Sequence, residues 1–330
     1  MSATIASRSV RAKAWRLVGW LAGAAFVALL VPALWQALRG QDWSSVTALA
    51  EQGDRGRIGL LLAGALLVTT IGPLLGMFSW RAIMVDLGAR LSTPQAVRMF
   101  CVGFFSKYMP VKGLALLLAA RMAKTSGVGM GRFFGAGVLS MAVTTLTAFA
   151  VGLLAGVPLF GEMVGWLLPA LVPVAVMVVW PQLINRAVGW MMRAVRRPPP
   201  EAGLSARGMR RSVLWQCLAW LVSGLHLWLL ALAMNAAPGR SLLLCVGAFS
   251  LATAIGVLVI VVPDGIGVRE AVLMAALTTV LPVPAAAVVV VASRVVTTVS
   301  EVGLGAVAMV AAEIAYRRGK GGGNAQTARP

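Results

Sequence analysis

Charged side chains are scarce in this chain, and acidic ones scarcest. Asp and Glu together number 10, beside 29 Lys and Arg, one His and three Cys. Soluble domains carry ~25% charged residues. Here the share is 12%, with 59% hydrophobic residues and a mean hydropathy of +0.88 over 330 residues. That balance excludes a soluble fold and a disordered chain. Cys101, Cys217 and Cys245 all fall in apolar segments without Cys-x-x-Cys spacing, which excludes a disulfide framework. A lone histidine, His226, cannot build a metal centre; a helix-to-helix hydrogen bond is its expected role, with proton relay as the alternative. There is no His-Glu-x-x-His, phosphate-binding loop or Gly-x-Ser-x-Gly. No catalytic residue, metal or cofactor is expected.

What the chain has instead is apolar length. A membrane-spanning helix needs roughly 20 mostly apolar residues. Six stretches qualify: Leu17 to Trp35, Ile58 to Trp80, Phe133 to Leu154, Met163 to Trp180, Val213 to Ala236 and Ala285 to Ala311. The first follows Arg8, Arg11, Lys13 and Arg16 and lacks a small-residue cleavage site, so it reads as an uncleaved anchor. Two further stretches, Pro94 to Lys124 and Leu242 to Leu281, are apolar but interrupted. The interruptions lie at Pro110 to Gly113 and at Pro263, Gly265 and Gly267. Proline removes a backbone donor and glycine weakens a helix interior, so each segment should break into a hairpin of two helical arms. Backbone that leaves the helix at membrane depth persists only against protein or a wet cavity.

The expected fold is therefore an all-α polytopic membrane protein. It has six full spans and two broken or re-entrant hairpins, with eight spans as the fallback. With the N-terminus inside, 23 of the 29 basic residues fall on cytoplasmic segments and five on outside ones; Arg294 lies within a span. The positive charge thus follows topology and not nucleic acid. The plasma membrane is the expected location, with both termini cytoplasmic. The segments are a basic N-terminus (1–16), a first membrane portion with the start of the second repeat (17–184) and a basic cytoplasmic linker (185–212). A second membrane portion (213–311) and a basic, disordered tail (312–330) follow. Each half reads as two spans, a broken hairpin and one span, of opposite starting side. Inverted repeats of this kind place binding sites at their helix breaks.

Charges at membrane depth are functional candidates by default. Lys107, Lys112 and Arg121 flank the first break, where a half-helix N-terminus would favour an anion. Snorkelling to the interface is the competing reading for the lysines. The second break supplies Asp264, Arg269 and Glu270, and the final span supplies Arg294 and Glu301. Asp264 can instead N-cap the helix that starts near Gly265. Cross-helix pairing is expected, either Glu270 with Arg294 or Arg269 with Glu301. Such pairs compensate buried charge and equally serve a structural role.

Ser106-Lys107-Tyr108-Met109-Pro110-Val111-Lys112-Gly113 resembles the "KYxPG" region of the lysylphosphatidylglycerol synthase transmembrane family, also called flippase-like integral membrane proteins. Pro263 to Ala271 looks like its second signature, "PxGxGxREA", and Arg294 sits where the family has an arginine in its last long span. Val111 and Lys112 depart from the first motif. The resemblance implies the lipid-handling membrane part and not lysyl transfer. It implies a protein that binds and translocates an anionic lipid or lipid-linked glycan. Lys107, Lys112, Arg121 and Arg269 would bind the headgroup. Asp264, Glu270, Arg294 and Glu301 would form a charge network. The partners it implies are membrane lipids with an anionic headgroup or a polyprenyl phosphate, together with envelope or glycan-assembly proteins. Two other readings stand beside it: a transferase acting on a polyprenyl phosphate, with Asp264 or Glu270 as its base, and a non-transporting scaffold.

Overall fold

The computed structural model describes residues 39–44, 46–48, 54–108, 129–160, 171–194, 203–258, 265 and 267–326. Among them the chain is helical, with no strand. The helices are α1 (Arg55–Asp86), α2 (Thr93–Tyr108), α3 (Met130–Phe160), α4 (Val172–Val179) and α5 (Pro181–Ala194). They continue with α6 (Ala206–Ala233), α7 (Pro238–Leu258), α8 (Val268–Leu277) and α9 (Val283–Gln326).

Five stretches are long and apolar enough to cross a membrane: Arg55–Asp86, Arg132–Ala155, Ala206–Ala233, Pro238–Leu258 and Val283–Ala311. They carry outward-facing Leu60, Leu214 and Val307, each at least 70% exposed, which is the surface a span presents to lipid. The expected span Leu17 to Trp35 lies outside the described residues, as does the first part of Met163 to Trp180. The second part of the latter forms α4.

Local chemistry sets the ends. Asp54 caps α1 by accepting from the amides of Gly56 and Arg57 at 2.9 and 3.2 Å. Ser205 caps α6 by accepting from the Gly208 amide at 3.0 Å. This cap starts α6 at Ala206, one turn or more before the apolar run that the sequence makes visible at Val213. At the other end of the chain, α9 runs on to Gln326, so residues 312–326, expected as a disordered tail, continue the helix. Once a helix is nucleated, adding residues costs little.

The central contact is α1 against α6, antiparallel over their whole length. Arg57 bonds Asn235 Oδ1 at 3.2 Å and the Leu232 carbonyl at 3.3 Å at one end. In the middle, Gly72 lies on Ser223, and the hydroxyls of Ser79 and Ser212 bond at 2.8 Å. At the far end Asp86 accepts from the Ser205 amide at 2.5 Å and its hydroxyl at 2.7 Å. Gly72, Ser79 and Asp86 on α1 are seven residues apart, about two turns, the period of a left-handed helix pair. Small residues there let the backbones approach, as membrane helices require. Gly152 of α3 and Gly247 of α7 do the same for the next pair.

One apolar cluster gathers Met77, Ile83, Met84, Leu139 and Met209 where α1, α3 and α6 meet. A second gathers Leu227, Phe249, Leu273 and Val289 from α6, α7, α8 and α9. The second expected hairpin is thus present but unequal. Its first arm, α7, is a 21-residue helix of full spanning length, and its second, α8, has 10 residues and cannot cross. Of the segment expected to form the first hairpin, the described residues include only its first part, which builds α2.

Candidate functional site: a charged helix break

Pro263 and Asp264 lie outside the described residues, but the two glycines after them fix the turn. Gly265 has φ +64° and Gly267 has φ +88°, in the left-handed region that glycine enters without steric cost. Gly265 also packs on Gly256 of α7, so closely that a Cβ on it would lie 2.6 Å from the Gly256 Cα. The chain therefore turns back along α7, and α8 starts beside Gly256, near the end of that helix. Arg294, which meets the first turn of α8, is eleven residues into α9, ~17 Å from its start at 1.5 Å per residue, about half the hydrocarbon depth.

Glu270 holds the new helix start. Its Oε2 accepts from the Gly267 amide at 2.6 Å, satisfying a donor that has no partner within the helix. The carboxylate also sits at the positive end of the α8 dipole. The cap at this break is therefore Gly267 with Glu270, a role the sequence offered to Asp264. The other oxygen, Oε1, lies 3.8 Å from Arg294 Nε on α9. One carboxylate thus joins the broken helix to the final span, and of the two expected pairings Glu270 with Arg294 is realised.

Arg269, adjacent in sequence, leaves α8 in another direction. Its guanidinium carbon lies 4.8 Å from the centroid of the Phe249 ring, a cation–π contact. The same ring meets His226, edge-on at 4.6 Å, and Trp220 at 6.3 Å. His226 is fully buried; its Nε2 bonds Ser293 Oγ at 2.8 Å and its Nδ1 lies against the Ser223 carbonyl. The expected helix-to-helix role of His226 is realised, from α6 to α9. Ser293 directly precedes Arg294, so the imidazole layer and the ion pair occupy the same depth. Glu301 stands about two turns farther along α9, beside the bond between Ser300 and Thr70 at 3.1 Å.

Lys107 belongs to α2. Pro110, Lys112, Gly113 and Arg121 lie outside the described residues. Cys101 and Cys245 are buried and Cys217 is partly buried, all three as free thiols. No group of His, Cys, Asp and Glu able to hold a metal occurs among the described residues.

Sequence reasoning missed Phe249, Ser223 and Ser293, which surround the break. A faint signal existed, since serines inside otherwise apolar spans need a partner. Which helix supplied that partner was not legible.

A family model describing the lysylphosphatidylglycerol synthase TM region matches residues 17–305, which include both interrupted segments. No curated protein matches the chain.

Proposed function

This chain belongs to the lysylphosphatidylglycerol synthase transmembrane family, and on that premise we propose that it binds and translocates an anionic lipid or lipid-linked glycan. The observation that carries this reading is the half-helix α8, whose first turn holds Arg269 and Glu270, the latter paired with Arg294 about halfway through the bilayer along α9. Backbone that leaves a helix at that depth marks substrate paths in transporters. Lys107, Lys112 and Arg269 attract the headgroup while its tails stay in lipid. The pair of Glu270 and Arg294 anchors α8 to α9 and breaks and re-forms as access alternates. The Arg81 end of α1, the start of α2 and the Arg207 end of α6 face the cytoplasm, by the positive-inside rule.

The test reconstitutes the protein into vesicles containing fluorescent phosphatidylglycerol, with dithionite quenching the outer leaflet. Wild-type protein should expose the inner pool to the quencher. Arg269→Ala should slow that at least fivefold while folded yield changes by less than twofold. Arg294→Met should instead lower yield, because an unpaired Glu270 costs ~3 kcal/mol. Adding Glu270→Gln should restore part of the yield, since glutamine keeps the acceptor for Gly267. Vesicles with wild-type protein that quench no faster than empty ones would sink translocation. Equal yield losses in Arg269→Ala and Arg294→Met would favour the scaffold reading.

A further inference from the structure

A second charged feature lies far from the break, at the opposite end of the α1–α6 seam. On α1, Phe78, Arg81 and Val85 fall on one stripe, and on α6, Arg207, Arg211 and Trp215 fall on another, spaced three and four residues apart. Between the stripes is a cleft of about 240 Å³. Its floor is aromatic, with Phe78 and Trp215 stacked at 5.1 Å between centroids. Its rim is cationic. The Leu91 carbonyl fixes Arg81 by accepting from Nε at 3.2 Å and Nη2 at 2.9 Å. Arg207 and Arg211 are exposed, and neither forms an ion pair among the described residues. The one carboxylate in the lining, Asp86, is engaged by the amide and hydroxyl of Ser205. A shallower cleft of about 610 Å³ shares Arg81 and Val85 and adds Arg90.

We propose that this groove binds the phosphate of an anionic glycerophospholipid from the adjoining leaflet, with an acyl chain along Phe78 and Trp215, and that the lipid clamps α1 to α6. Charge decides the headgroup: three guanidiniums face one carboxylate that is already bonded, and guanidinium forks match phosphate oxygens bidentately. The floor decides the source. Stacked rings beside the half-exposed Val85 open toward lipid, which suits an acyl chain and gives a free phosphate nothing to contact. Indole rings also favour the headgroup level of a bilayer. The site stands whether or not lipid crosses at the break, because none of its residues belongs to α7, α8 or α9.

Native mass spectrometry and thermal unfolding of the full chain in detergent test the proposal, with phosphatidylglycerol, phosphatidylcholine of the same chains, and inorganic phosphate as probes. Phosphatidylglycerol should remain bound and raise the melting temperature, with the other two giving less than a third of the shift. Arg207→Gln combined with Arg211→Gln should cut phosphatidylglycerol retention at least fivefold. Arg210→Gln removes charge from the same turn, but Arg210 points to the Val178 carbonyl, so this variant should lose less than twofold. If the double variant folds poorly, wild-type protein photo-crosslinked to diazirine phosphatidylglycerol gives the answer. Crosslinks should map to residues 78–85 and 207–215. Retention unchanged in the double variant would overturn the site, as would crosslinks confined elsewhere. An equal loss in Arg210→Gln would reduce it to bulk attraction. A full shift from inorganic phosphate alone would overturn its assignment to a lipid.

Discussion

The α1–α6 seam and the break before α8 both depend on glycine, to opposite ends. In the seam, Gly72 and Gly208 keep helical backbones, and their missing side chains admit Ser223 and Asp86. At the break, Gly265 and Gly267 take positive φ and stop the helix. The seam buries its polar atoms in bonds that run straight across, such as Ser79 to Ser212. The break uses charged groups, because a helix start at mid-depth exposes amides that only an acceptor such as Glu270 satisfies. The same residue type therefore makes a rigid joint in one place and an interruption in the other. The difference is the backbone: Gly72 and Gly208 stay helical although Pro73 follows one and Arg207 precedes the other, whereas Gly265 and Gly267 take positive φ.

Three substitutions sharpen this contrast. Gly265→Val should have the largest effect, because it forces a β-branched residue into φ +64° and against Gly256. The cost should be at least ~3 kcal/mol, read as lost folded yield and a lowered melting temperature by tryptophan fluorescence. A melting temperature within a degree of wild type would show that the turn has another solution. Gly72→Ala should cost less, ~1–2 kcal/mol, since the added Cβ would lie 1.9 Å from Ser223 Oγ, an atom that can rotate, but 3.2 Å from the Ser223 Cα, which cannot. Combining it with Ser223→Ala should recover about half the loss; no recovery would mean that the helix backbones themselves collide. The smallest effect belongs to the hydroxyl pair. A double-mutant cycle of Ser79→Ala and Ser212→Ala should give a coupling of ~0.6 kcal/mol, typical of hydrogen bonds between membrane helices. A coupling above ~2 kcal/mol would make that bond, and not backbone proximity, the basis of the seam.

Legibility from sequence followed the range of the interaction. The spans of α1, α3, α6 and α9 were visible because lipid demands apolar length, a property of the segment itself. The second break was visible because proline and glycine act on their own backbone. The start of α6 was read late, at Val213, because Arg207, Arg210 and Arg211 mask a helix that Ser205 had already capped. In the second hairpin, the pattern of proline and glycines gave the interruption but not the inequality of α7 and α8. Where the chain resumes its helix depends on Gly265 seating on Gly256, a contact between arms.

By itself the sequence determined that this is an α-helical membrane protein of the lysylphosphatidylglycerol synthase transmembrane family, where α7 gives way to α8, and which charges have to be reconciled with lipid. Composition and local backbone preference suffice for those, because each acts within one stretch of chain. Only the tertiary structure decided that Glu270 serves Gly267 and Arg294 together, that Arg269 rests on Phe249 beside His226, and that Arg81, Arg207 and Arg211 meet across one groove. Those side chains are brought within a few ångströms by the facing and depth of separate helices. A one-dimensional pattern of hydrophobicity fixes that a helix crosses, but not which neighbour its polar residues meet.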